Sequence, residues 1–386
     1  MHEPVIVDAI RTPFARRGGA YSAIRPDALL AAQLRQLVDR SGVAPDRIGD
    51  IVAGCVSQAG EQSANVGRQA ALLAGLPIEV PAVTLNRMCG SGQTTVHLAA
   101  QAVAAGDMDY AIACGVESMS RVPMFLDVTL GAAFRDWSSL NPDLLQQHDM
   151  PHQGESAELV ASRWGLSRGT LDEFAAESHR KAHASAGVKG RETVPLPPTM
   201  GAASELRSDE GVRATVDRHK MAQLAPLFRP EGGVITAGNA SQMTDGAAAL
   251  LVGDAAKVKA DGLKPRARFR ARVVVGSDPR LQLDGVIPAT RKALARAGVG
   301  IVDIDWIEVN EAFACVPIAW SREMGVDLGD VNPWGGAIAH GHPLGATGVG
   351  LTAKALAGLE ATGGTLALVV FCVGHGMATA TVLERI

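Results

Sequence analysis

The sequence predicts an α/β protein built from two similar βα-rich halves, with a long insertion in the first. Three observations carry this. The chain has 386 residues, 47% of them apolar, with 43 glycines and only 4% aromatic residues. That is the composition of large, closely packed cores joined by many tight turns. Two segments also match in constant register. RSGVAPDRIGDIVAG (40–54) lies over RAGVGIVDIDWIEVN (296–310), pairing Arg40 with Arg296, Gly42 with Gly298, Val43 with Val299, Ile48 with Ile304 and Ile51 with Ile307. Finally, the likeness persists downstream. In each half a turn feeds a helix, and an apolar strand then ends in cysteine and glycine, MDYAIACGVES in one and GTLALVVFCVGHG in the other.

In chain order, MHEPVIVDAIRTPFARRGG opens on a strand and not on a signal peptide. An amphipathic helix closes at Gly42 and a strand comes next. VPAVTLN reads as a buried strand, and SGQTTVHLAAQAVAAG as a helix with Val96, Ala99, Ala100 and Val103 on one face. The residues from about 118 to 242 have no counterpart in the second half. They contain helical patterns, one of them (LSRGTLDEFA) starting at a Ser or Thr cap, then a Pro-rich passage and a charged one. An insertion of that length suits a lid or substrate-binding subdomain. TDGAAALLVG rejoins the core and KVKADGLKPRAR links to the second half. The expected division is therefore 1–117 with 243–264, an insertion 118–242, and 265–386, the halves facing each other about a pseudo-twofold axis.

The net charge of −4 gives no general case for nucleic acid as a partner, and RFRARV (268–273) reads as a solvated strand. No apolar run reaches the length of a membrane span. Cysteines 55, 89, 114, 315 and 372 are odd in number and show no metal-ligand spacing. They read as reduced thiols of a cytoplasmic protein without metal.

Cys89, in NRMCGSG, would sit at a helix N-terminus, where free N–H groups and the helix dipole favour a thiolate. For a lone cysteine the competing reading is a buried structural thiol. If the halves are symmetric, the GHPLGATG turn meets the same interface and brings His342 close to Cys89; Cys372 comes from the next strand, and Asn310 ends the strand WIEVN. A thiol beside an imidazole is an activated nucleophile. Taken singly, His342 could cap a Gly-rich turn and Cys372 could be core. Cys55, Cys114 and Cys315 read as packing residues, and His97, His179, His183 and His219 as surface or packing histidines.

NRMCGSG, TAGNASQMTDGAAA, NEAFA, GGAIAHGHPLGATG and CVGHGMATA resemble, in order and spacing, the motifs of the thiolases, and the likeness runs nearly end to end. The resemblance implies a layered α/β/α/β/α core and a Claisen-type acyltransferase acting on coenzyme A thioesters, which are its substrates, with no permanently bound cofactor. It implies that Cys89 takes the acyl group, that His342 deprotonates Cys89 and helps bind the thioester oxygen, and that Cys372 moves the proton at the α-carbon of acetyl-CoA. Asn310 would hold a water that, with His342, stabilises the enolate oxygen. The N–H groups of Cys89 and Gly374 would cradle the acyl oxygen. The insertion would bind CoA, through Arg213 at the nucleotide end and through Ser241 and His152 along the pantetheine. A homodimer or homotetramer is implied, with neither nucleic acid nor membrane as partner.

Three residues depart from the family pattern. Trp334 stands for a small polar residue, His340 for an aliphatic and His375 for glycine. A tryptophan there could fill part of a pocket, and two extra imidazoles could alter local pKa values. Gln153 stands where acetoacetyl-CoA-forming relatives carry Met. TATVLERI and GEQSANVGRQAALLAG also resemble the acyl-degrading branch, including members handling steroid side chains. The favoured expectation is thus a degradative 3-ketoacyl-CoA thiolase. The alternatives are a biosynthetic acetoacetyl-CoA thiolase, a ketoacyl synthase-like condensing enzyme, which Cys372 opposes, and a non-catalytic lipid-CoA carrier.

Overall fold

The computed structural model describes residues 2–129, 140–188, 192–197, 200 and 206–386. Its strands are β1 (Pro4–Arg11), β2 (Ala15–Arg16), β3 (Ile48–Gly54), β4 (Ala82–Leu85), β5 (Tyr110–Ser118), β6 (Thr244–Asp254), β7 (Ala267–Gly276), β8 (Trp306–Val309), β9 (Leu366–Val373) and β10 (Met377–Arg385). They form one path, β4-β3-β5-β6-β1-β7-β10-β9-β8, with β2 on β6. In the first half β3 runs parallel to β4 and β5, and β6 is antiparallel to β5 and β1. The second half repeats this: β8 is parallel to β9, and β10 is antiparallel to β9 and β7. The half-sheets touch only where Val5 and Ile6 of β1 meet Arg268 and Ala267 of β7. The counterpart of β4 is reduced to a single bridge between Ile307 and Val331.

Each half-sheet buries both faces, so its strands read as apolar runs and not as alternations. In β5, Ile112, Cys114 and Val116 face the outer helices Pro26–Ser41 and Val66–Leu73, while Ala111 and Ala113 face inward. In β9, Leu368, Val370 and Cys372 face the outer helices Val286–Ala297 and Cys315–Met324, while Val369, Phe371 and Val373 face inward. Between the half-sheets lie two helices, Ser91–Ala105 and Leu344–Thr362. The layers are therefore α/β/α/β/α.

The middle layer explains the glycines. Residues 344–359 are all buried, so that helix has no polar face. Its first turn meets the first turn of its partner backbone to backbone. A Cβ on Gly348 would lie 2.0 Å from the Gln93 nitrogen, and one on Gly92 would lie 2.7 Å from the Gly345 oxygen. The two helices thus begin side by side, and the residues just before them, Cys89 and His342, are delivered to one end of the molecule.

VPAVTLN is not the buried strand its composition suggests. β4 is an edge strand whose Val83 is 47% exposed, because only β3 pairs with it. The insertion contributes helices Gln153–Arg163 and Arg168–Ala184, the latter capped by Ser167, which accepts from Thr170 N–H at 3.2 Å. Ala157, Val160 and Leu171 of these helices share a core with Val286 and Ile318, so the insertion of the first half packs on the second. Within its Pro-rich and charged passages, Pro198, Thr199 and Glu205 lie outside the described residues.

Candidate active site

The nucleophile turn is held from both sides. Asn86 Oδ1 accepts from Met88 N–H at 2.7 Å, while Ser91 Oγ accepts from Arg87 N–H at 2.8 Å and donates to Met88 O at 2.6 Å. Met88 adopts φ +45°, left-handed backbone that strains a non-glycine residue. Cys89 precedes the Gly90 cap and is 5% exposed. Its own backbone N–H, the Gly374 N–H and the Gln153 side chain lie near the sulfur and favour a thiolate, but burial among Val56, Met119 and Leu344 outweighs them and pushes the thiol up to about 11. The expectation of a dipole-stabilised thiolate is therefore corrected: in the unliganded site Cys89 is a neutral thiol that needs a base.

Gly374 opens the three-residue turn between β9 and β10, in which His375 and Gly376 both take positive φ. Cys372, at the end of β9, is fully buried, and burial first, then the nearby Cys89 and Cys315, raise its pKa well above the ordinary thiol value. The two candidate sulfurs are thus close enough that charge on one disfavours charge on the other.

His342 comes directly after Gly341, whose φ of +96° and lack of room beside Thr244 admit only glycine. Its Nδ1 lies 2.7 Å from Thr347 Oγ1, which itself donates to Pro343 O at 2.8 Å. The hydroxyl has given its proton away, so Nδ1 carries the hydrogen and Nε2 presents a lone pair. Asn310 Nδ2 donates to that nitrogen at 3.3 Å. Burial lowers the His342 pKa to about 3, which keeps the ring neutral. Asn310 Oδ1 is buried without a hydrogen-bond partner among the described residues, an arrangement that folded proteins rarely keep without a use.

Glu117 ties the two helix starts together. It accepts from Val56 N–H, Ser57 N–H and Gly345 N–H at 3.0, 3.1 and 2.9 Å, and from Gln62. Sequence reasoning missed it, although a carboxylate ending an apolar strand such as IACGVES must find donors. Thr347 and Gln282 were missed as well.

The structure lines one cleft with Cys89, Gln153 and Gly374, puts Cys372 near enough to Cys89 for their charges to interact, and pairs His342 with Asn310; Leu344, two residues beyond His342, packs beside Cys89. His152 caps the helix that begins at Gln153, accepting from Gly154 N–H at 3.1 Å, and stacks on Phe228 with ring centroids 5.3 Å apart. Arg213 is exposed and lines a separate cavity of about 140 Å³ with His179, Lys220 and Gln242. Gln242 O accepts the His342 N–H at 3.1 Å, and the neighbouring Ser241 donates its N–H to Ala312 O at 3.0 Å. Of the three departures, His375 lines the Cys89 cleft. Trp334 does not fill a pocket; it packs edge-on against Trp306 in the middle core, at 4.9 Å. His340 is buried, with its Nδ1 2.9 Å from Gly341 O and its ring edge-on to Phe14.

A duplicated α/β/α/β/α core carries a buried thiol and a neutral imidazole just before its two middle helices and a second thiol at the end of β9, a set suited to acyl transfer on sulfur. The family model described as thiolase, N-terminal domain, matches residues 4–256, and that for the thiolase C-terminal domain matches 263–385. The chain belongs to the thiolase family and is an acyltransferase. It is 42% identical over its full length to steroid 3-ketoacyl-CoA thiolase FadA6 of Mycobacterium tuberculosis, covering 95% of that protein. It is 44% identical to the 3-oxoadipyl-CoA/3-oxo-5,6-dehydrosuberyl-CoA thiolase of Escherichia coli and 42% identical to a 3-ketoacyl-CoA thiolase of Vibrio cholerae, with complete coverage of both chains in each case.

Proposed function

We propose that the protein degrades a 3-ketoacyl-CoA by thiolysis, through an acyl-enzyme on Cys89. The proton of Cys89 passes to His342 Nε2. Burial penalises either charge alone, whereas thiolate and imidazolium formed together offset one another. The Cys89 sulfur attacks C3 of the substrate, the C2–C3 bond breaks, and its electron pair leaves as the enolate of acetyl-CoA. His342 and a water on Asn310 stabilise the enolate oxygen, and Cys372 delivers the proton to C2. CoA–SH then gives its proton to Cys372 and attacks the acyl carbon, releasing the shortened acyl-CoA and the Cys89 thiolate, which takes its proton back from His342. The N–H groups of Cys89 and Gly374 cradle the acyl oxygen in both steps. The carrying observation is that Cys89 and Gly374 line one cleft, with Cys372 near enough for its charge to interact with that of Cys89.

CoA is bound by the insertion 118–242 and its junction, with Arg213 at the nucleotide end and Ser241 and His152 along the pantetheine. The acyl group is apolar, of the fatty or steroid side-chain kind. Val56, Met88, Met124, Phe125 and Leu344 supply apolar walls around Cys89, which suits a hydrocarbon better than the free carboxylate of a 3-oxoadipyl group. A homodimer or homotetramer would cover β4 and the exposed Leu72, Leu73 and Ile78 beside it. Five free thiols suit the cytoplasm.

The test is a thiolysis screen over 3-ketoacyl-CoAs of graded bulk, with 3-oxoadipyl-CoA and acetyl-CoA alone as comparators and Cys89→Ala as blank. A kcat/KM rising with apolar bulk supports the reading. Preference for 3-oxoadipyl-CoA overturns the apolar assignment, and turnover confined to acetyl- and acetoacetyl-CoA points to the biosynthetic enzyme.

A further inference from the structure

We infer that Gln282 is a positioning residue: its carboxamide sets the aim of the Gly374 N–H at the acyl oxygen by strapping the Gly374–Gly376 turn to the start of the inserted helix that carries Gln153. This rests on the acyl-enzyme reading above.

Gln282 is 3% exposed, and both polar atoms of its amide are bonded. Oε1 accepts the His375 N–H at 2.9 Å, while Nε2 donates to Pro151 O at 2.8 Å and to Ser156 Oγ at 3.0 Å. The amide's orientation is unambiguous, since a backbone N–H can only donate and a backbone C=O can only accept. Ser156 Oγ donates onward to Arg280 O at 2.8 Å, so it is free to accept from Gln282. Glutamate cannot donate to Pro151 O, methionine bonds neither partner, and asparagine is one carbon shorter.

The backbone points the same way. Gln282 adopts φ +50°, ψ −47°, a conformation that strains a non-glycine residue. The loop it ends wraps the Gly374–Gly376 turn from its far side as well: Ser277 N–H donates to Gly376 O at 2.7 Å, and a Cβ on Gly376 would lie 2.6 Å from Ser277 O. The turn is therefore clamped at its last residue by backbone and at its middle residue by the Gln282 side chain. The preceding residue, Gly374, lines the Cys89 cleft. On the opposite side, Pro151 and Ser156 flank Gln153, which lines the same cleft. One buried amide thus joins two of the groups that surround the nucleophile. Misaiming a transition-state donor by a fraction of an ångström lowers the rate without abolishing the fold.

The experiment compares two reactions at Cys89 in wild type and Gln282→Met. Acetylation by acetyl-CoA develops charge on the acyl oxygen and needs the aimed donor. Alkylation by iodoacetamide needs only an accessible thiolate. Gln282→Met is expected to slow acetylation and kcat by about 10- to 100-fold, with KM changed less than about threefold. Alkylation should fall by less than about threefold, and the melting temperature should drop by a few degrees because three buried hydrogen bonds are lost. If Gln282→Met does not fold, Ser156→Ala, which removes one of the three bonds, should slow acetylation by about 2- to 5-fold with alkylation less affected. Acetylation unaffected in a folded variant, or acetylation and alkylation falling by the same factor, overturns the positioning role. A wild-type protein that takes no acetyl group at Cys89 overturns the acyl-enzyme reading instead, and this inference with it.

Discussion

Strands β5 and β9 occupy the same place in the two half-sheets and carry a cysteine at the same position, yet the chain leaves them differently. Cys114 lies opposite Ala249 and Cys372 opposite Ala378. Beyond Cys114, β5 continues pairing with β6 as far as Ser118, and this extension carries Glu117 to the loop at Val56 and the helix start at Gly345. Beyond Cys372, β9 stops at Val373 and turns back at once, which swings the Gly374 N–H onto Cys89. For Cys114 burial alone raises the pKa. Cys372 has Cys89 as a neighbour as well. The duplication thus kept the strand in both copies, and the path of the chain beyond its last pairs decides which sulfur lies near Cys89.

The largest expected effects break that comparison outright. Cys89→Ala should lower thiolysis by about 10⁴-fold, and Cys372→Ala by about 10³-fold. Cys372→Ala should still acquire a label at Cys89 from acyl-CoA, while failing to exchange the α-protons of acetyl-CoA for deuterium. Mass spectrometry and NMR read the two outcomes. The extension of β5 is sharpened by Glu117→Ala. Losing the acceptor for three buried N–H groups should cost about 3 kcal/mol or more in urea unfolding.

Next in size is an acid-stability effect that compares the two middle helices. His97 on one and His342 before the other are both held near pKa 3 by burial, against 6.5 ordinarily. Between pH 6.5 and 3 the unfolded chain therefore binds more protons than the folded one, so their contribution is full above pH 6.5 and is lost as pH falls. Each imidazole contributes about 1.4 kcal/mol per pH unit near pH 5. His97→Gln should remove one such share from the pH slope of urea-unfolding stability, and an unchanged slope would show that His97 titrates alike in both states. Thr347→Val, which frees the His342 tautomer, should lower kcat by about 10-fold, read by steady-state assay. The smallest effect is that of Cys114→Ala: kcat within about twofold of wild type and a stability loss of about 1 kcal/mol, the size of one small buried group.

Much of this was legible in the residues. The repeat at Arg40/Arg296 pointed to the paired halves, and Cys89, His342 and Cys372 stood at turns whose helices and strands could be placed. What stayed hidden depends on the third dimension. Whether a thiol at a helix start is charged depends on how far its walls exclude water, and Val56, Met119 and Leu344 come from three separate segments. Val83 and its neighbours look like core by composition, but an edge strand is set by the absence of a neighbour, which no local pattern encodes. Thr347 and Gln282 act through bonds to backbone atoms, and ordinary polar residues in ordinary contexts carry no signature of that. Trp334 stands beside the GHP motif in sequence yet packs into the middle core.

The glycine contact between the first turns of the middle helices has one more consequence. With no side chain between Gly92 and Gly345, or between Gly348 and Gln93, the spacing of the two helix starts is a backbone dimension. It works as a ruler that substitutions elsewhere leave unaltered. The turns and the insertion can therefore change in this chain while the two middle-helix starts, with Cys89 and His342 just before them, keep their separation.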